Sequence, residues 1–497
     1  MLIDRRLLLA ALVALAACSG DKRVFPSDQF AAKCASPRSG VDPGTGKPYP
    51  DKSGSLDDEK KWVRGWIDEL YLWYREVPDA DPGAYSTPVD YFNVLKTPAL
   101  TASGKPKDQF HFVYSTEDWR RLSQSGVSSG YGVQWMVIQS RPPRRVVAAY
   151  NEPNSPAAQH RIGRGVSVLQ VDGVDLINGS DVNTLNAGLF PATANETHTF
   201  QVMDVDGTVR QETLQSADVE SASVQTVKVF TDVPGGPLGY MLFNDHHATA
   251  EAALIAAVNQ FHDAAITDLV IDIRYNGGGY VDISSELGFM IAGPGPTRGK
   301  TFEKNQFNDR YGNSDPVTGE NLVLPFHSTA VGFSSALRGQ PLPHLDLQRL
   351  FVLTGGGTCS ASESIINSLR GIDIPVIQIG ATTCGKPYGF YPADNCGTTY
   401  FAIQFQAVND KGFGDYDDGF VPGGSGPSGV PGCQAPDDLS HQLGDPAEAR
   451  LAAAIWQRTR GSCPPGGQAL RSGLSLVGDD GVLLKSPWDE NRIYRRD

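Results

Sequence analysis

Two residues in the C-terminal half of the chain have the side chains needed for nucleophilic catalysis. Ser360 precedes a predicted helix, and Lys386 lies in a loop after a predicted strand. A serine at a helix N-terminus is close to unpaired backbone N–H groups, which stabilise a developing negative charge. Three consecutive glycines at 277–279 and again at 355–357 let the backbone present further N–H donors. A nucleophile, a base and an oxyanion-binding backbone are therefore available together.

Three buried strands are predicted to bring these groups to one edge of a sheet. The apolar runs Leu269–Ile273, Leu350–Thr354 and Pro375–Ile379 are typical of parallel strands, and helices are predicted after the first two. A strand, a helix and a returning strand form a right-handed crossover, so the carboxyl ends of the strands share an edge. Open α/β sheets place their sites there, and we expect Ser360 and Lys386 to meet at this edge.

Catalysis by Lys386 requires an unusual environment. A lysine with its ordinary pKa of about 10.4 is almost wholly protonated at neutral pH and cannot deprotonate a serine. The sequence therefore predicts a desolvated Lys386, because burial disfavours the charged form. The alternatives are a solvated loop lysine and, for Ser360, a helix N-cap.

Three motifs in this region resemble those of the carboxy-terminal processing, or tail-specific, serine peptidases. They are DIRYNGGG at 272–279, SASE at 360–363 and GK at 385–386. The resemblance implies an α/β multidomain protein. Its parts would be a small N-terminal helical domain, a PDZ-like β-rich domain, and a ClpP/crotonase-like α/β catalytic domain with parallel strands.

The same resemblance implies a role for each residue that matches the motifs. Ser360 would be the nucleophile and Lys386 the general base, with no cofactor and no metal. The N–H of Ala361, together with that of Gly278 or Gly279, would form the oxyanion hole. The implied reaction is hydrolysis of peptide bonds through an acyl-enzyme.

One position departs from the family pattern. Family members usually carry a glutamine four residues after the lysine, where it helps to orient the base, and this chain has Phe390 there. The identity of the third catalytic residue is therefore left open. A non-catalytic peptide-binding or scaffold lipoprotein that retains the peptidase fold is the alternative function, and an esterase or a Ser-His peptidase is a further one.

A segment upstream of the catalytic region, residues 125–218, resembles a PDZ domain. It contains strand-like runs, a short helix beginning Ser-Pro-Ala at 155–157 and an Asp-Gly turn at 172–173. The residues expected to receive a peptide carboxylate through their backbone N–H groups are Gly130, Tyr131, Gly132 and Val133. The expected partners are protein or peptide substrates, recognised through an exposed C-terminus.

The first residues indicate export and lipid anchoring. Arg5 and Arg6 precede an apolar run, Leu7–Ala17, which is too short to span a bilayer and is typical of a signal peptide. Its end resembles a lipobox, so Cys18 is the predicted lipidation site. We expect a lipid-anchored protein of the bacterial cell envelope, in the outer membrane and facing the periplasm or the cell surface, with the lipid as its only membrane contact.

Composition sets the remaining limits. The 497 residues carry a net charge of −14, which is the wrong sign for binding a phosphate backbone, so nucleic acid is not expected as a partner. The length fits about three domains. We predict the following division of the chain: signal peptide 1–17, tether 18–55, helical domain 56–120, PDZ-like domain 125–218, catalytic domain 219–463 and C-terminal tail 464–497.

The cysteines other than Cys18 number six, and an even number outside the cytoplasm predicts disulfides. Six cysteines allow fifteen pairings, among which Cys384 with Cys396 would close a short loop. A zinc site is the competing interpretation, although no metal-binding spacing supports it.

Overall fold

The computed structural model describes residues 24–312 and 314–465, together with the backbone of two further strands, Val482–Leu483 and Arg492–Ile493. The expected signal peptide and Cys18 lie outside the described residues, as does most of the expected tail. Among the described helices, none combines the length and the apolar character that a bilayer crossing needs.

The N-terminal part is helical, as predicted. A capping box begins its first long helix: the Ser55 hydroxyl accepts a hydrogen bond from the Asp58 N–H, and the Asp58 carboxylate accepts one from the Ser55 N–H. Trp62 and Trp66 then face the core at helical spacing and pack against Tyr400 of the third part. The elements are β1 (Lys33–Cys34), β2 (Lys52–Ser53), α1 (Leu56–Leu70), α2 (Pro88–Val94), β3 (Phe112–Ser115) and α3 (Thr116–Ser125).

The segment expected to be a tether is packed onto the folded chain from Ser27 onward. β1 and β2 pair with each other in parallel, and the Ser27 hydroxyl donates to the Glu69 carboxylate on α1 at 2.6 Å. Cys34 is fully buried and forms a disulfide with Cys396. The prediction of an unpacked tether is therefore wrong for these residues, because one cysteine cross-links them to the distant third part.

The middle part is a β-rich unit around one antiparallel sheet of order β10-β9-β7-β6-β5. Trp135 and Phe200 stack in its core with ring centroids 6.2 Å apart. Its elements are β4 (Val127–Gly130), β5 (Val133–Gln139), β6 (Arg145–Asn151), α4 (Pro156–Gln159), β7 (Ser167–Val171), β8 (Val174–Asp175), α5 (Val182–Leu189), β9 (Thr197–Met203), β10 (Val209–Gln215) and β11 (Ala217–Glu220).

The third part is built on a sheet of order β12-β13-β14-β18-β19-β26, in which every pair except β12 with β13 is parallel. The predicted parallel strands are confirmed. Every residue of β14 and β18 is buried, since helices cover both faces of the sheet. The strands and helices that form this sheet are β12 (Val224–Phe230), β13 (Leu238–Phe243), α6 (Ala250–Asp263), β14 (Asp268–Asp272), α7 (Val281–Ala292), β18 (Leu350–Thr354), α9 (Ala361–Gly371), β19 (Val376–Gly380), β26 (Gly432–Gln434) and α10 (Ala449–Arg460).

Shorter elements surround the carboxyl edge of this sheet and connect it to the other parts. Strand β22 pairs with β3, which attaches the N-terminal helices to the third part. These elements are β15 (Gly279–Tyr280), α8 (Pro294–Thr297), β16 (Thr301–Phe307), β17 (Val323–Pro325), β20 (Tyr388–Gly389), β21 (Ala393–Asn395), β22 (Thr398–Phe401), β23 (Phe405–Val408), β24 (Val421–Pro422), β25 (Gly429–Val430), β27 (Val482–Leu483) and β28 (Arg492–Ile493).

Candidate active site

Ser360 occupies a strained position between β18 and α9. Its φ of 58° and ψ of −116° lie outside the regions that non-glycine residues ordinarily adopt. The residue is fully buried, and its Oγ has no hydrogen-bond partner among the described residues. The sharp turn places the hydroxyl at the N-terminus of α9, where the first N–H groups of the helix are not used within it.

Lys386 is fully buried, so the predicted desolvation of this side chain is confirmed. Its Nζ lies 4.4 Å from the centre of the Phe110 ring and 4.8 Å from that of Phe390. Phe110 belongs to the N-terminal part, which therefore covers the lysine from outside the sheet. The alternative interpretation, a solvated loop lysine, is wrong.

Glu363 connects the serine and the lysine. This fully buried carboxylate accepts hydrogen bonds from the N–H groups of Ser360 at 2.9 Å, Gly385 at 2.9 Å and Lys386 at 2.8 Å. It also accepts one from the Thr383 hydroxyl at 2.5 Å. Burial raises the pKa of Glu363, whereas these four donors oppose that rise. One side chain thus holds the nucleophile turn and the lysine loop together.

A disulfide joins the same two loops covalently. Cys359, which directly precedes the serine, is bonded to Cys384 in the lysine loop, and their Cα atoms are 5.2 Å apart. The N–H of Cys384 also donates to the Thr358 carbonyl at 3.0 Å. Ser360 and Lys386, which are 26 positions apart in the sequence, are thereby brought to the same carboxyl edge of the sheet.

All six cysteines considered above are paired, as Cys34–Cys396, Cys359–Cys384 and Cys433–Cys463. The prediction of disulfides is confirmed, and the suggested pairing of Cys384 with Cys396 is wrong. Cys384 lies beside the nucleophile turn, whereas Cys396 lies beside the N-terminal segment. Their sequence proximity was misleading because the short strands between them carry the chain from one site to the other.

Removing the disulfide at the site is expected to reduce both stability and turnover. The free energy of unfolding of the double variant Cys359→Ala/Cys384→Ala should be about 3 kcal/mol lower, because the unfolded chain regains loop entropy. Its kcat should also fall, since the bond joins the two loops that carry Ser360 and Lys386. Denaturant unfolding and peptide hydrolysis measure the two effects.

The matched control is Cys433→Ala/Cys463→Ala. Its cysteines are separated by 30 positions, against 25 for the pair at the site, so the entropic effect is similar. This control should lose stability and keep its kcat. Equal kcat values for the two double variants would contradict a positioning role for the disulfide at the site.

The glycine loop after β14 is held by Asn276 and His246, both fully buried. The Asn276 Oδ1 accepts from the Gly278 N–H and lies 3.0 Å from the His246 Nδ1. Burial lowers the pKa of His246 to about 3, so its ring is neutral at physiological pH. The Asn276 carbonyl accepts from the Cys359 N–H and from the Ser362 hydroxyl, which links the glycine loop to the nucleophile turn.

The structure differentiates the backbone groups predicted for the oxyanion hole. The N–H of Gly278 is donated to Asn276 within the loop, which leaves Gly279 as the stronger of the two glycine candidates. At Gly279 the φ is +132°, and an added Cβ would lie 2.6 Å from the His246 carbonyl oxygen, so only glycine fits. Ala361 is the first residue of α9, at the helix N-terminus where N–H groups have no partner within the helix.

A buried ionic network secures the same loop to the middle part. Arg274 bonds to Asp272 at 2.8 Å, to Asp437 at 2.8 Å and to Glu448 at 2.7 Å. Arg164 of the middle part also pairs with Asp437 and bonds to the Tyr275 hydroxyl. The two arginines hold the pKa of Asp437 far below its usual range, so this carboxylate stays charged.

The four residues predicted to receive a peptide carboxylate lie at the connection from β4 to β5 in the middle part. The Gly132 carbonyl accepts from the Glu152 N–H at 2.6 Å, and the Tyr131 carbonyl accepts from the Ala157 N–H at 2.9 Å. Gly130 ends β4 and Val133 begins β5. This loop leads directly into β5. Among the described residues up to 465, β5 is the edge strand of the middle sheet.

Phe390 packs in an aromatic cluster and has no polar atom to offer Lys386. It is fully buried, with ring centroids 6.0 Å from Phe112 and 5.3 Å from Phe401. Phe112 lies on β3, so an element of the N-terminal part completes the cluster. The aromatic ring thus fills space at the position where the family pattern has an orienting amide.

Restoring the amide is expected to be costly. Phe390→Gln should lower the free energy of unfolding by about 2–4 kcal/mol, because a buried amide would replace a packed ring. Phe190→Gln is a suitable control, since Phe190 is 41% exposed. Urea unfolding measures the effect. The same midpoint for Phe390→Gln and the parent would contradict this expectation, because it would mean that the cluster accommodates the amide.

The fold and these contacts are those expected of an α/β serine peptidase, and comparison with known proteins points to the same class. Residues 237–390 match the domain of peptidase family S41, and residues 58–115 match the peptidase S41 N-terminal domain. A carboxyl-terminal-processing protease from a Picosynechococcus species is 25% identical over 294 residues. That match covers 56% of this chain and 60% of the relative.

A solved structure shows the same fold. An S41 protease from Bacteroides fragilis superposes with a TM-score of 0.61 at 20% identity, covering 83% of this chain and 98% of that one. Two stretches of this chain, 58–115 and 237–390, are thus similar to domains of peptidase family S41, and the relative that it matches is a carboxyl-terminal-processing protease. The match to a peptidase S41 domain supports a serine-type hydrolase.

Sequence reasoning assigned no role to two groups that the structure brings to the site. Glu363 was visible as the fourth residue of the SASE motif, but a glutamate in the first turn of a helix commonly serves the helix alone. Phe110 lies in a separate part of the chain, and no local pattern connects it to Lys386. Only the packing of the N-terminal part onto the sheet brings that ring to the lysine.

Proposed function

We propose that this protein is an extracytoplasmic serine endopeptidase that cleaves through a Ser360–Lys386 dyad. The observation that carries the proposal is the Glu363 carboxylate, which holds the backbones of both residues. A serine in a strained turn at a helix N-terminus and a buried lysine are the two groups that this chemistry needs.

The reaction begins with attack of the Ser360 Oγ on the carbonyl carbon of the scissile bond. The hydroxyl proton passes to the neutral Lys386 amine, and the carbonyl oxygen becomes an oxyanion bound by the N–H groups of Ala361 and Gly279. Lys386 then gives its proton to the leaving amine as the C–N bond breaks. Water attacks the resulting ester, with Lys386 accepting its proton and returning one to the Ser360 oxygen.

The positions of the two side chains indicate what must change for proton transfer. The Ser360 Oγ has no hydrogen-bond partner among the described residues, so its bond to the Lys386 Nζ is not formed here. Catalytic hydrogen bonds are often long before a substrate binds and shorten in the complex. The rings of Phe110 and Phe390 lie against the Nζ, and the full burial of the side chain keeps bulk water away from it.

Substrates are proposed to be proteins or peptides with an exposed C-terminus. The segment Gly130–Val133 would receive the terminal carboxylate on its backbone N–H groups, as in a PDZ domain. Arg164 and Asp437 connect this middle part to the glycine loop beside Ser360. Binding of the terminus and cleavage would thus occur on two parts of the molecule that are in direct contact.

The proposed location is the cell envelope, with lipid attached to Cys18. Three disulfides support an oxidising compartment, because cytosolic thiols are kept reduced. Intact-mass measurement of the membrane-extracted protein tests the anchor. We expect acylated protein that begins at Cys18. The Cys18→Ser variant should instead be found in the soluble fraction.

A non-catalytic peptide-binding lipoprotein is the second candidate, and Phe390 is the observation that favours it. The two candidates differ in whether Ser360 can be acylated. A fluorophosphonate probe should label the peptidase at Ser360, located by mass spectrometry of the tryptic peptides. Ser360→Ala should abolish labelling, whereas Ser368→Ala, which removes another buried hydroxyl of α9, should retain it. A folded parent protein that takes up no probe would favour the second candidate.

A further inference from the structure

Two short strands from the C-terminal segment are added to sheet edges at the two places proposed to handle peptides. Strand β27 (Val482–Leu483) pairs antiparallel with β5, and strand β28 (Arg492–Ile493) pairs parallel with β15. Strand β5 directly follows the Gly130–Val133 segment. The residue pairs are Val482 with Val137, Leu483 with Met136, Arg492 with Gly279 and Ile493 with Tyr280.

The second pairing lies within the proposed active site. Strand β15 begins at Gly279, whose N–H is a candidate for the oxyanion hole, and β28 lies against its edge. Strand β28 also contacts β20, which begins two residues after Lys386. The backbone of residues 492–493 therefore contacts elements that adjoin the glycine loop and the lysine loop.

Pairing of this kind is how an extended peptide binds a sheet edge. Main-chain hydrogen bonds supply the affinity and do not depend on the sequence of the added strand. Strand β15 has a single edge at which an extended backbone can be added, because its other edge is taken by His246, whose carbonyl accepts from the Tyr280 N–H. A peptide substrate that extends past the glycine loop would need the edge that β28 occupies.

One continuous segment can reach both positions. Leu483 and Arg492 are nine positions apart, and such a stretch spans at most about 30 Å when extended. Because the segment belongs to the same chain, its effective concentration at each edge is in the millimolar range, as for short flexible linkers. Even weak strand pairing would then compete with a free peptide.

We propose that the C-terminal strands β27 and β28 are an intramolecular competitor that occupies the backbone positions of peptide substrates at both sheet edges. The occupancy is a binding property of this chain, and only its effect on substrate turnover rests on the proposed peptidase function. A substrate gains access when it displaces the two strands, so long substrates that engage both edges are favoured over short ones.

A binding experiment tests the occupancy without catalysis. The full chain carrying Ser360→Ala is compared with the same chain also carrying V482P, L483P, R492P and I493P, since proline removes the N–H groups that strand pairing uses. The probe is a fluorescein-labelled peptide of residues 478–497, followed by anisotropy. The proline variant should bind it at least about tenfold more tightly, because its own strands no longer compete.

The matched control places prolines in the same segment outside β27 and β28. Gln468→Pro/Ala469→Pro alters residues that lie outside the described ones, and it should bind the peptide as weakly as the Ser360→Ala parent. A labelled peptide with prolines at the four positions should not bind any variant. Equal affinity of the parent and the four-proline chain would overturn the proposal, as would tighter binding by the control.

Turnover distinguishes a competitor from a substrate. With Ser360 restored, the four-proline chain should hydrolyse an unfolded protein about tenfold faster at low substrate concentration, mainly through a lower KM. Cleavage of the segment after residue 483 in the parent, and not in Ser360→Ala, would overturn the role of competitor. Failure of the proposed peptidase function would give a different result. No variant would then hydrolyse the substrate, while the four-proline chain would still bind the labelled peptide more tightly than the Ser360→Ala parent.

Discussion

Lys386→Met is expected to lower kcat for peptide hydrolysis by about 10³-fold, which matches the range for loss of a general base. Methionine keeps the length and apolar stem of lysine and can contact the rings of Phe110 and Phe390. The fold should persist, because methionine retains the apolar contacts of the lysine stem. Steady-state hydrolysis of an unfolded protein, together with thermal unfolding of the same sample, measures both expectations.

Comparison with Ser360→Ala sharpens this prediction. Residues that act as a unit are strongly non-additive, so the double variant Ser360→Ala/Lys386→Met should be no slower than Ser360→Ala alone. Lys60→Met is the matched control, since Lys60 is also buried and its Nζ donates to the Pro82 carbonyl at 2.9 Å. It should lose stability and keep kcat. A multiplicative effect in the double variant would indicate that the two residues act independently.

Glu363→Gln is expected to lower kcat by roughly 10–100-fold with little change in KM. The glutamine amide has one acceptor oxygen, and its NH2 group would face donors that now bond to the carboxylate. At least one buried N–H would then lose its partner, at a cost of about 1–3 kcal/mol. The backbones of Ser360 and Lys386 would then move relative to each other. Because Glu363 acts through these two residues, its effect should appear in kcat and not in substrate binding.

The control for this prediction is Glu251→Gln. Glu251 is a fully buried carboxylate that accepts from the backbone N–H groups of Gly332 and Ser334, at 2.6 and 3.3 Å, and bonds to neither Ser360 nor Lys386. Both variants should unfold at lower denaturant concentration, and only Glu363→Gln should lose kcat. A parallel loss of kcat in the two variants would mean that Glu363 supports the fold without positioning the dyad.

The pH dependence provides a second readout. Burial raises the pKa of Glu363, so its protonation on acidification begins at a higher pH than for an ordinary glutamate. A protonated carboxyl cannot accept from all four donors, and kcat of the parent should fall through this range. The Glu363→Gln protein has no such group and should lack that part of the acid limb, which pH profiles of kcat for the two proteins can show.

The parallel sheet was predictable because its signal is local. Continuous apolar runs at 269–273 and 350–354 become strands buried on both faces, and the helix predicted at 361–370 is observed as Ala361–Gly371. Helix α1 lies within the helical domain that the sequence predicts over residues 56–120. The packed segment around Cys34 was not predicted, since a stretch rich in glycine and proline carries no sign of what it will pack against.

For the site, the sequence by itself determined where the candidate nucleophile and base lie and the order of the strands that carry them. The motif residues Ser360 and Lys386, and the glycines at 277–279, are defined by short stretches of chain that any observer of the sequence can read. A crossover topology then requires their strands to end at one edge. Those inferences depend on chain connectivity and on side-chain type alone.

Tertiary structure decided how these residues are held. The carboxylate of Glu363 joins two loops, and Phe110 comes from a separate part of the chain. Cys384 pairs with Cys359 and not with Cys396, which is nearer to it in the sequence. Strands β27 and β28 likewise find edges that lie hundreds of residues upstream. Each of these contacts depends on distances in space, which local sequence patterns do not encode, because burial and partner choice are settled only when the separate elements pack.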